Sequence, residues 1–338
     1  MRTLFLPTLV NGLDGDPALW VDLLDEGRAV LFDLGDLHAL APRKLARVDF
    51  AVVTHAHMDH FCGFDRLLRL ALRREREIVL VGPAGFGGHV ASRIAGYAWN
   101  LVEGYPVRLR VREVDGAVVR DTIHRGAGRM LAEPAGEAPF SGTVHAERLF
   151  TIEVAVLDHG IPVLAAALRE VEHLGVDKDA LDRLGLAPGP WLATLKDLAR
   201  RREPGATPVE AAAADGGARV LPLAELEGRL LRRGPGQKIA YVTDAAFTPE
   251  NVERIVALAR DADLMVCETP FLHEDVAEAA RRGHLSARQA GEIARAAGVR
   301  RLAPFHVSPR YQGREREVVE EAARAFGGTL LELPGARE

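Results

Sequence analysis

One segment, residues 54–60 with the sequence THAHMDH, most constrains how this chain folds. It contains three histidines and an aspartate, all of them side chains able to bind metal. It directly follows the short apolar run Phe50–Val53, which is typical of a buried strand, and it precedes Phe61–Leu70, where apolar residues recur at helical spacing. The metal-binding residue types therefore lie where a strand is followed by a helix.

The spacing within this segment predicts two neighbouring ion sites. Residues two apart on an extended backbone point the same way, so His55 and His57 are expected to bind one ion together. Asp59 and His60 follow after the chain turns, so they are expected to face a second ion. Imidazole suits zinc, and a carboxylate adds a ligand that manganese or iron also accepts. The alternative is a solvated histidine-rich loop, which the strand context and the embedded aspartate disfavour.

Composition narrows the class of protein. The chain has 338 residues, 48% of them hydrophobic and 27% charged, which is ordinary for a globular protein with a substantial core. The net charge of -5 argues against a nucleic-acid-binding protein whose whole surface is basic, but it leaves local basic patches open. No apolar run approaches the ~20 residues that span a bilayer, so no membrane partner is expected. Cys62 and Cys267 lie far apart in no paired motif, which predicts a cytoplasmic protein without a disulfide framework.

Strand and helix patterns alternate along most of the chain, and this alternation predicts an α/β fold. Residues 125–142 are rich in Gly, Pro and Ala and are expected to form a loop. Residues 170–218 have two short helical patterns, Lys178–Leu184 and Trp191–Arg202, among Pro-rich and Gly-rich segments. We interpret them as an inserted arm and not an independent domain, so that residues 1–338 form one domain.

Three further polar residues end apolar runs that read as strands: His159, Asp244 and His306. Loops at strand ends gather to build sites in α/β proteins, so these residues are candidates to complete the ligand set. Each alone has an ordinary interpretation, a hydrogen-bonded edge histidine or an aspartate capping a helix. Together with the first segment they form a set that is hard to dismiss.

This set resembles the di-metal ligands of the metallo-β-lactamase superfamily, and the chain is most similar to the ribonuclease Z family within it. Glu268–Phe271 is similar to the family's Glu-x-x-Phe element, and Gly283–Ala290 to its His-Ser/Thr-x-x-Gln-Ala element. Phe305–Tyr311 matches its His-x-Ser-x-Arg-Tyr signature. Gly185–Pro190 resembles the Gly-Pro motif of its substrate-binding arm.

The resemblance implies a four-layer αβ/βα sandwich, the metallo-β-lactamase fold, with two divalent ions at its edge. Zinc is the expected metal, with manganese and iron as alternatives. The first ion would be held by His55, His57 and His159. The second would be held by Asp59, His60 and His306, with Asp244 bridging the two.

The resemblance also implies the reaction, endonucleolytic hydrolysis at the 3′ side of precursor tRNA by a hydroxide that two ions activate. Asp59 would orient the hydroxide, and His284, itself oriented by Glu268, would protonate the leaving ribose oxygen. Arg310 is expected either to contact phosphate or to form a structural ion pair. A homodimer is the assembly that the resemblance suggests.

The N-terminal region departs from the family pattern. Val10–Asp14 stands in place of a Gly-Thr-Gly turn and basic loop, and Gly35–Leu40 in place of a Gly-Glu-x-Thr-x-Gln run. These departures leave open a second hypothesis, a hydrolase of the same fold acting on a small phosphodiester or another ester such as a lactone. A third hypothesis, a non-catalytic scaffold or RNA-binding protein, predicts lost ligands, and none is lost. Arginine runs at 66–76 and 200–202 are either solvated faces or RNA contacts.

Overall fold

The computed structural model describes residues 3–336; residues 1–2 and 337–338, part of the domain predicted for 1–338, lie outside that range. The chain divides into two compact units. The larger contains Phe5–His145, Ile152–Leu168 and the chain from Lys238 onwards, and the smaller contains Ala146–Thr151 and Arg169–Gln237. Among the described residues, every helix is too short or too polar to span a lipid bilayer.

Strands and helices alternate through the described chain. The strands are β1 (Phe5–Leu9), β2 (Leu19–Leu23), β3 (Arg28–Phe32), β4 (Val48–Val52), β5 (Ile78–Pro83), β6 (Arg108–Asp115), β7 (Val118–Arg125), β8 (Ala132–Pro139), β9 (Thr143–Ala146), β10 (Phe150–Asp158), β11 (Pro162–Glu170), β12 (His173–Val176), β13 (Pro208–Ala212), β14 (Ala218–Pro222), β15 (Leu231–Gly234), β16 (Lys238–Val242), β17 (Leu264–Glu268), β18 (Arg301–Phe305) and β19 (Thr329–Leu330). The helices are α1 (Pro42–Leu45), α2 (Met58–Phe61), α3 (Phe64–Ala71), α4 (Phe86–Ala95), α5 (Lys178–Arg183), α6 (Trp191–Arg201), α7 (Leu223–Leu230), α8 (Pro249–Ala259), α9 (Val276–Arg282), α10 (Ala287–Ala296) and α11 (Glu315–Phe326).

Two sheets form the framework. The first has eight strands in the order β1-β2-β3-β4-β5-β6-β7-β8, and the second has seven in the order β19-β18-β17-β16-β11-β10-β9. Strands β3 to β6 are mutually parallel, as are β16 to β19. Parallel neighbours need crossover connections, so helices cover the outer faces of these parts of the sheets. The loops that follow β4, β16 and β18 therefore come to one edge of the parallel strands.

Apolar side chains hold helices and sheets in four layers. Helices α3 and α4 pack on the first sheet through a cluster that includes Phe64, Leu67 and Phe86, and helices α8, α10 and α11 pack on the second through another. Between the sheets, the ring of Phe32 on β3 stacks on Tyr241 on β16, with centroids 5.5 Å apart. The predicted αβ/βα sandwich is confirmed.

The smaller unit contains helices α5–α7 and two antiparallel strand pairs, β12 with β15 and β13 with β14. It has a hydrophobic cluster of its own, in which Trp191, Leu195 and Leu226 are buried. Both helices predicted for the arm are confirmed, although the unit extends to Gln237 and not only to residue 218.

The prediction of a loop over residues 125–142 is wrong, because β8 occupies 132–139 and pairs antiparallel with β7. All but one of its residues are exposed, so it has no apolar alternation by which a strand is recognised. It lies at the end of the sheet, where backbone pairing on one side suffices and Pro is tolerated. The last strand is also shorter than the predicted Thr329–Leu333.

Candidate metal centre and active site

The turns after three strands direct polar side chains into one site. Asp33 follows β3, Asp244 follows β16 and His306 follows β18, and all three have left-handed backbones, with φ of 58°, 50° and 57°. Only a few per cent of non-glycine residues adopt this conformation, with Asp and His among the more tolerant types. Such strained positions cluster at functional sites, since the backbone must turn sharply to present a side chain.

The structure brings together all seven residues expected to bind metal. His55, His57, His159 and Asp244 form one group whose ligand atoms lie within 4.8 Å of one another. Asp59, His60 and His306 form a second such group. Asp244 lies between the two, because its Oδ2 is 3.7 Å from His55 Nε2 and 3.5 Å from His60 Nε2. The same division into two groups was implied by the family resemblance.

The donor atoms of this cluster fit a divalent ion. Nε2 of His55 and Nε2 of His60 are fully buried and have no hydrogen-bond partner among residues 3–336. A buried polar atom without a partner is costly unless a ligand satisfies it. Imidazole nitrogens combined with carboxylate oxygens are a donor set for zinc, manganese or iron.

The opposite ring nitrogens of three histidines are held by the protein. His159 Nδ1 donates to the carbonyl of Gly283 over 2.8 Å, and His60 Nδ1 lies 3.0 Å from Asp33 Oδ2. His55 Nδ1 lies 3.1 Å from the hydroxyl of Thr54. A hydrogen bond at Nδ1 fixes the tautomer and leaves the Nε2 lone pair free to bind an ion.

Asp33 is a site residue that sequence reasoning missed. Its side chain is fully buried and accepts hydrogen bonds from the backbone N–H and hydroxyl of Thr54, at 2.7 and 2.9 Å, and from the phenol of Tyr241 at 3.0 Å. It also holds His60. The signal that selects Asp244, a polar residue ending an apolar run, is present here too, because Asp33 follows the run Ala29–Phe32.

Burial and neighbouring charges set the protonation of the cluster. Burial, with the neighbouring His60, lowers the pKa of His55 to about 2, so its imidazole is neutral. Burial alone would also lower the pKa of His306, but the Asp244 carboxylate raises it to about 10. Burial opposes the charged form of Asp59 as well, yet the hydrogen bond with His306 lowers its pKa to about 2. Without an ion, imidazolium–carboxylate pairs therefore form part of the cluster.

The predicted Glu268–His284 pair is in hydrogen-bond contact. Glu268 Oε2 lies 2.8 Å from His284 Nδ1, and Oε1 accepts from the backbone N–H groups of Ala245 and Leu285 at 2.9 and 3.2 Å. Burial would lower the pKa of His284, but the Glu268 carboxylate raises it above its usual value. A Ser286–Gln289 capping box starts α10 two residues later and fixes the chain that carries the imidazole.

A cavity of about 200 Å³ opens on the second group of ligands. Its lining includes Asp59, His306 and His284 together with Asp14 and Arg282. Sequence reasoning had not singled out Arg282, which lies two residues before His284.

Arg310, the predicted phosphate contact, lies among acidic side chains. Its guanidinium is 3.5 Å from Asp275 and 3.9 Å from Glu278, and it lies over the ring of Phe271. We expected Arg310 either to contact phosphate or to form a structural ion pair, and its contacts with Asp275 and Glu278 are those of an ion pair.

Comparison with known proteins gives a consistent result. The sequence pattern of a beta-lactamase superfamily domain matches residues 28–127 and 195–307. Ribonuclease Z of Deinococcus radiodurans is 33% identical over 320 residues, which cover 92% of this chain and 92% of that protein.

Solved structures share the fold. The metallo-beta-lactamase fold protein YhfI from Bacillus subtilis matches with a TM-score of 0.55 at 13% identity, covering 98% of each chain. The short form of human tRNase Z matches with a TM-score of 0.50 at 16% identity, covering 97% of this chain and 95% of the human one. At such identities the likeness concerns the fold alone.

Proposed function

The chain belongs to the ribonuclease Z family of the β-lactamase superfamily and is a metal-dependent hydrolase, and on this basis we propose that it cleaves precursor tRNA endonucleolytically on the 3′ side. One observation carries the proposal most directly. The ligands Asp59 and His306 line the same small cavity as His284, whose imidazole is hydrogen-bonded to Glu268, so the ligand cluster and the acid pair meet at one opening.

We assign two ions to the two ligand groups. His55, His57 and His159 would hold the first, Asp59, His60 and His306 the second, and Asp244 would bridge them. Zinc is the proposed metal, with manganese or iron as substitutes according to supply. When bound, such ions lower the pKa of water and neutralise charge that develops on a phosphate.

The protein's own groups act around that centre. The Asp59 carboxylate, at the wall of the cavity, would accept a hydrogen bond from the attacking hydroxide and so fix its orientation. His284 donates its Nε2 proton to the departing ribose oxygen, because Nδ1 is held by Glu268 and the raised pKa favours the protonated ring. Asp59 therefore acts on the attacking oxygen and His284 on the leaving oxygen.

Arginine side chains supply positive charge at the cavity. Arg282 lines it and is 54% exposed, while its Nε donates to Glu278 over 2.6 Å. The other guanidinium nitrogens of Arg282 are placed to contact a phosphate oxygen in the planar geometry that arginine favours. We retain Arg310 as a proposed second contact, which would have to exchange its neighbour Asp275 for the substrate.

The test is cleavage of a 3′-extended precursor tRNA by the purified protein, with and without a chelator. We expect a single cut on the 3′ side that disappears on chelation and returns when zinc or manganese is added. A protein that carries metal but leaves the precursor intact would contradict the proposal.

A second candidate function is hydrolysis of a small phosphodiester or another ester such as a lactone. The observation in its favour is the pair of acidic residues Asp14 and Asp16 in the cavity lining, because they repel a polyanionic RNA backbone more than a small substrate. Turnover of bis(p-nitrophenyl) phosphate alongside an inert precursor tRNA would favour this candidate.

Three further assignments are also proposals. The free thiols Cys62 and Cys267 are compatible with a reducing, cytoplasmic location. Homodimerisation follows from the family resemblance, and light scattering on the purified chain tests it. The arm within the smaller unit, with residues 200–202, is proposed as an RNA contact in a chain that forms a single functional domain over 1–338.

A further inference from the structure

A larger cavity adjoins the one at the ligand cluster. It has a volume of about 990 Å³ and is lined from the loops after β1 and β3, from α3 and from the segment after α4. Asp16 lines both cavities, so the two adjoin at this residue. A substrate with a phosphate at the ligand cluster therefore has a neighbouring space large enough for more than one further nucleotide.

Aromatic and aliphatic side chains form one wall of the larger cavity. Tyr97 is 47% exposed, and Trp99 stands at 75° to it with ring centroids 6.0 Å apart. The indole is fixed, since its Nε1 donates to the carbonyl of Ile94 over 2.9 Å. Leu68 and Leu72 add apolar surface beside the rings. Rigid aromatic faces of this kind stack with any unpaired base, because every base has a π face.

Two cations of α3 stand at the same cavity, one turn apart. Arg66 is half-buried and donates to the carbonyl of Leu40 over 3.0 Å, and Arg69 is exposed. Two of the three acidic side chains in the lining have a basic neighbour, and the third, Asp16, accepts a hydrogen bond from the Cys62 thiol at 3.4 Å. Asp65 pairs with Arg93 at 2.7 Å, and Asp36 lies 2.6 Å from His38 Nδ1. Exposed Arg69 is thus accessible to a phosphate, in a lining where Asp36 and Asp65 have basic neighbours and Asp16 contributes a negative charge.

We propose that this cavity binds an unpaired nucleotide of the RNA substrate, next to the phosphodiester that is cleaved at the ligand cluster. The base stacks on the exposed ring of Tyr97, which Trp99 supports edge-on, and its phosphate is contacted by Arg69. The proposal rests on the proposed function, since it takes RNA as the substrate. It adds a second recognition site that is separate from the groups acting on the scissile bond.

The test compares two substrates in the full-length, metal-loaded protein. Bis(p-nitrophenyl) phosphate has no flanking nucleotide and reports on the ligand cluster alone, whereas 3′-extended precursor tRNA reports on both cavities. In Tyr97→Ala and in Arg69→Ala we expect the ratio of kcat/KM for RNA to kcat/KM for the small diester to fall roughly 5- to 100-fold. The loss should be mainly in KM. Arg69→Ala should also reduce the salt dependence of RNA binding.

Arg73→Ala is the matched control. Arg73 is an exposed arginine just beyond α3 whose guanidinium contacts the hydroxyl of Tyr105 at 3.2 Å, outside the cavity lining. The Arg73→Ala substitution removes the same charge and is expected to leave the ratio of the two kcat/KM values unchanged. The proposal is overturned if the ratio of the two kcat/KM values in Tyr97→Ala and Arg69→Ala equals the ratio in this control. It is also overturned if Tyr97→Ala changes the oligomeric state of the protein and nothing else.

A binding measurement separates this proposal from the proposed function. Affinity for a short single-stranded oligoribonucleotide, measured by fluorescence anisotropy in the presence of chelator, needs no cleavage. We expect weaker binding in Tyr97→Ala than in Arg73→Ala. If the wild-type protein fails to cut precursor tRNA, the proposed function fails, while this difference in affinity still decides whether the cavity takes a nucleotide.

Discussion

The phenol of Tyr241 donates a hydrogen bond of 3.0 Å to Asp33 Oδ2, and the same carboxylate oxygen lies 3.0 Å from Nδ1 of the ligand His60. Asp33 follows β3 in the first sheet, and Tyr241 belongs to β16 in the second. One buried carboxylate therefore links the two sheets and orients a histidine of the metal centre. Burial, with the nearby Asp33 charge, raises the pKa of the Tyr241 phenol well above its usual value, so it remains a donor.

Replacing Asp33 by Asn should weaken metal binding more than it weakens the fold. The amide keeps the shape of the side chain but loses the charge that holds His60, and such changes behind a ligand typically cost 10- to 100-fold in metal affinity. Competition with a chromophoric chelator measures this loss. Tyr241→Phe keeps the carboxylate and should mainly lower the free energy of unfolding, by about 1 kcal/mol. Equal losses of affinity in the two variants would refute the role given to Asp33.

His284→Ala should slow RNA cleavage by roughly 10²- to 10⁴-fold, the usual contribution of a general acid, while metal content stays near wild type. Turnover of bis(p-nitrophenyl) phosphate should suffer much less, because p-nitrophenolate leaves without needing a proton. Asp59→Ala should instead abolish both reactions and reduce bound metal, as measured by elemental analysis. Similar metal loss in the two variants would contradict the division of roles.

Glu268→Gln should move the pH profile of RNA cleavage. The Glu268 carboxylate raises the pKa of His284 against the effect of burial, and the acid must be protonated to act, so activity falls as pH rises through that pKa. Removing the charge leaves burial to lower the pKa. The alkaline limb of kcat should therefore shift to lower pH, with the acid limb unmoved. A profile that drops in height without shifting would show that Glu268 serves only to support the fold.

Arg282→Ala and Arg281→Ala form a matched pair for the substrate contact. Both guanidinium groups bond to Glu278, whose pKa they lower to about 2, but only Arg282 belongs to the cavity lining. Loss of a charge-assisted phosphate contact in Arg282→Ala should raise KM roughly 10-fold or more. Arg281→Ala should change KM little, and the two melting temperatures should be similar. A larger KM effect from Arg281→Ala would exclude Arg282 as the contact.

Much of the fold was predictable because hydrophobic periodicity reports burial. Strand β4 is buried at all five positions and overlaps the apolar run Phe50–Val53, and helix α10 combines apolar periodicity with a capping box. Strand β8 has no buried residue and is held to β7 by backbone pairing and by the ion pairs Arg120–Glu137 and Arg125–Glu133, none of which produces an apolar alternation in the sequence. An edge strand of this kind is not detectable from composition.

The candidate site was predictable where residue type and position at a strand end both carried information, as for His159, Asp244 and His306. The direction in which each arginine side chain points was not predictable. His284 is flanked by several arginines in sequence, and only the folded helix α9 and the turn at Pro309–Tyr311 decide that Arg282 lines the cavity while Arg310 lies beside Asp275. The left-handed backbone at Asp33 likewise depends on the surrounding packing and not on local propensity.

The imidazolium–carboxylate pairs around Asp244 have a consequence for how the protein acquires its metal. Without an ion, and against the effect of burial, the Asp244 carboxylate raises the pKa of His60 and of His306, so protons compete with cations for these two ligands. Loading is then an exchange in which each incoming ion expels hydrogen ions, so occupancy depends on acidity as well as on metal supply. In a weakly buffered solution the uptake itself would register as a drop in pH, and mild acid alone would release the metal.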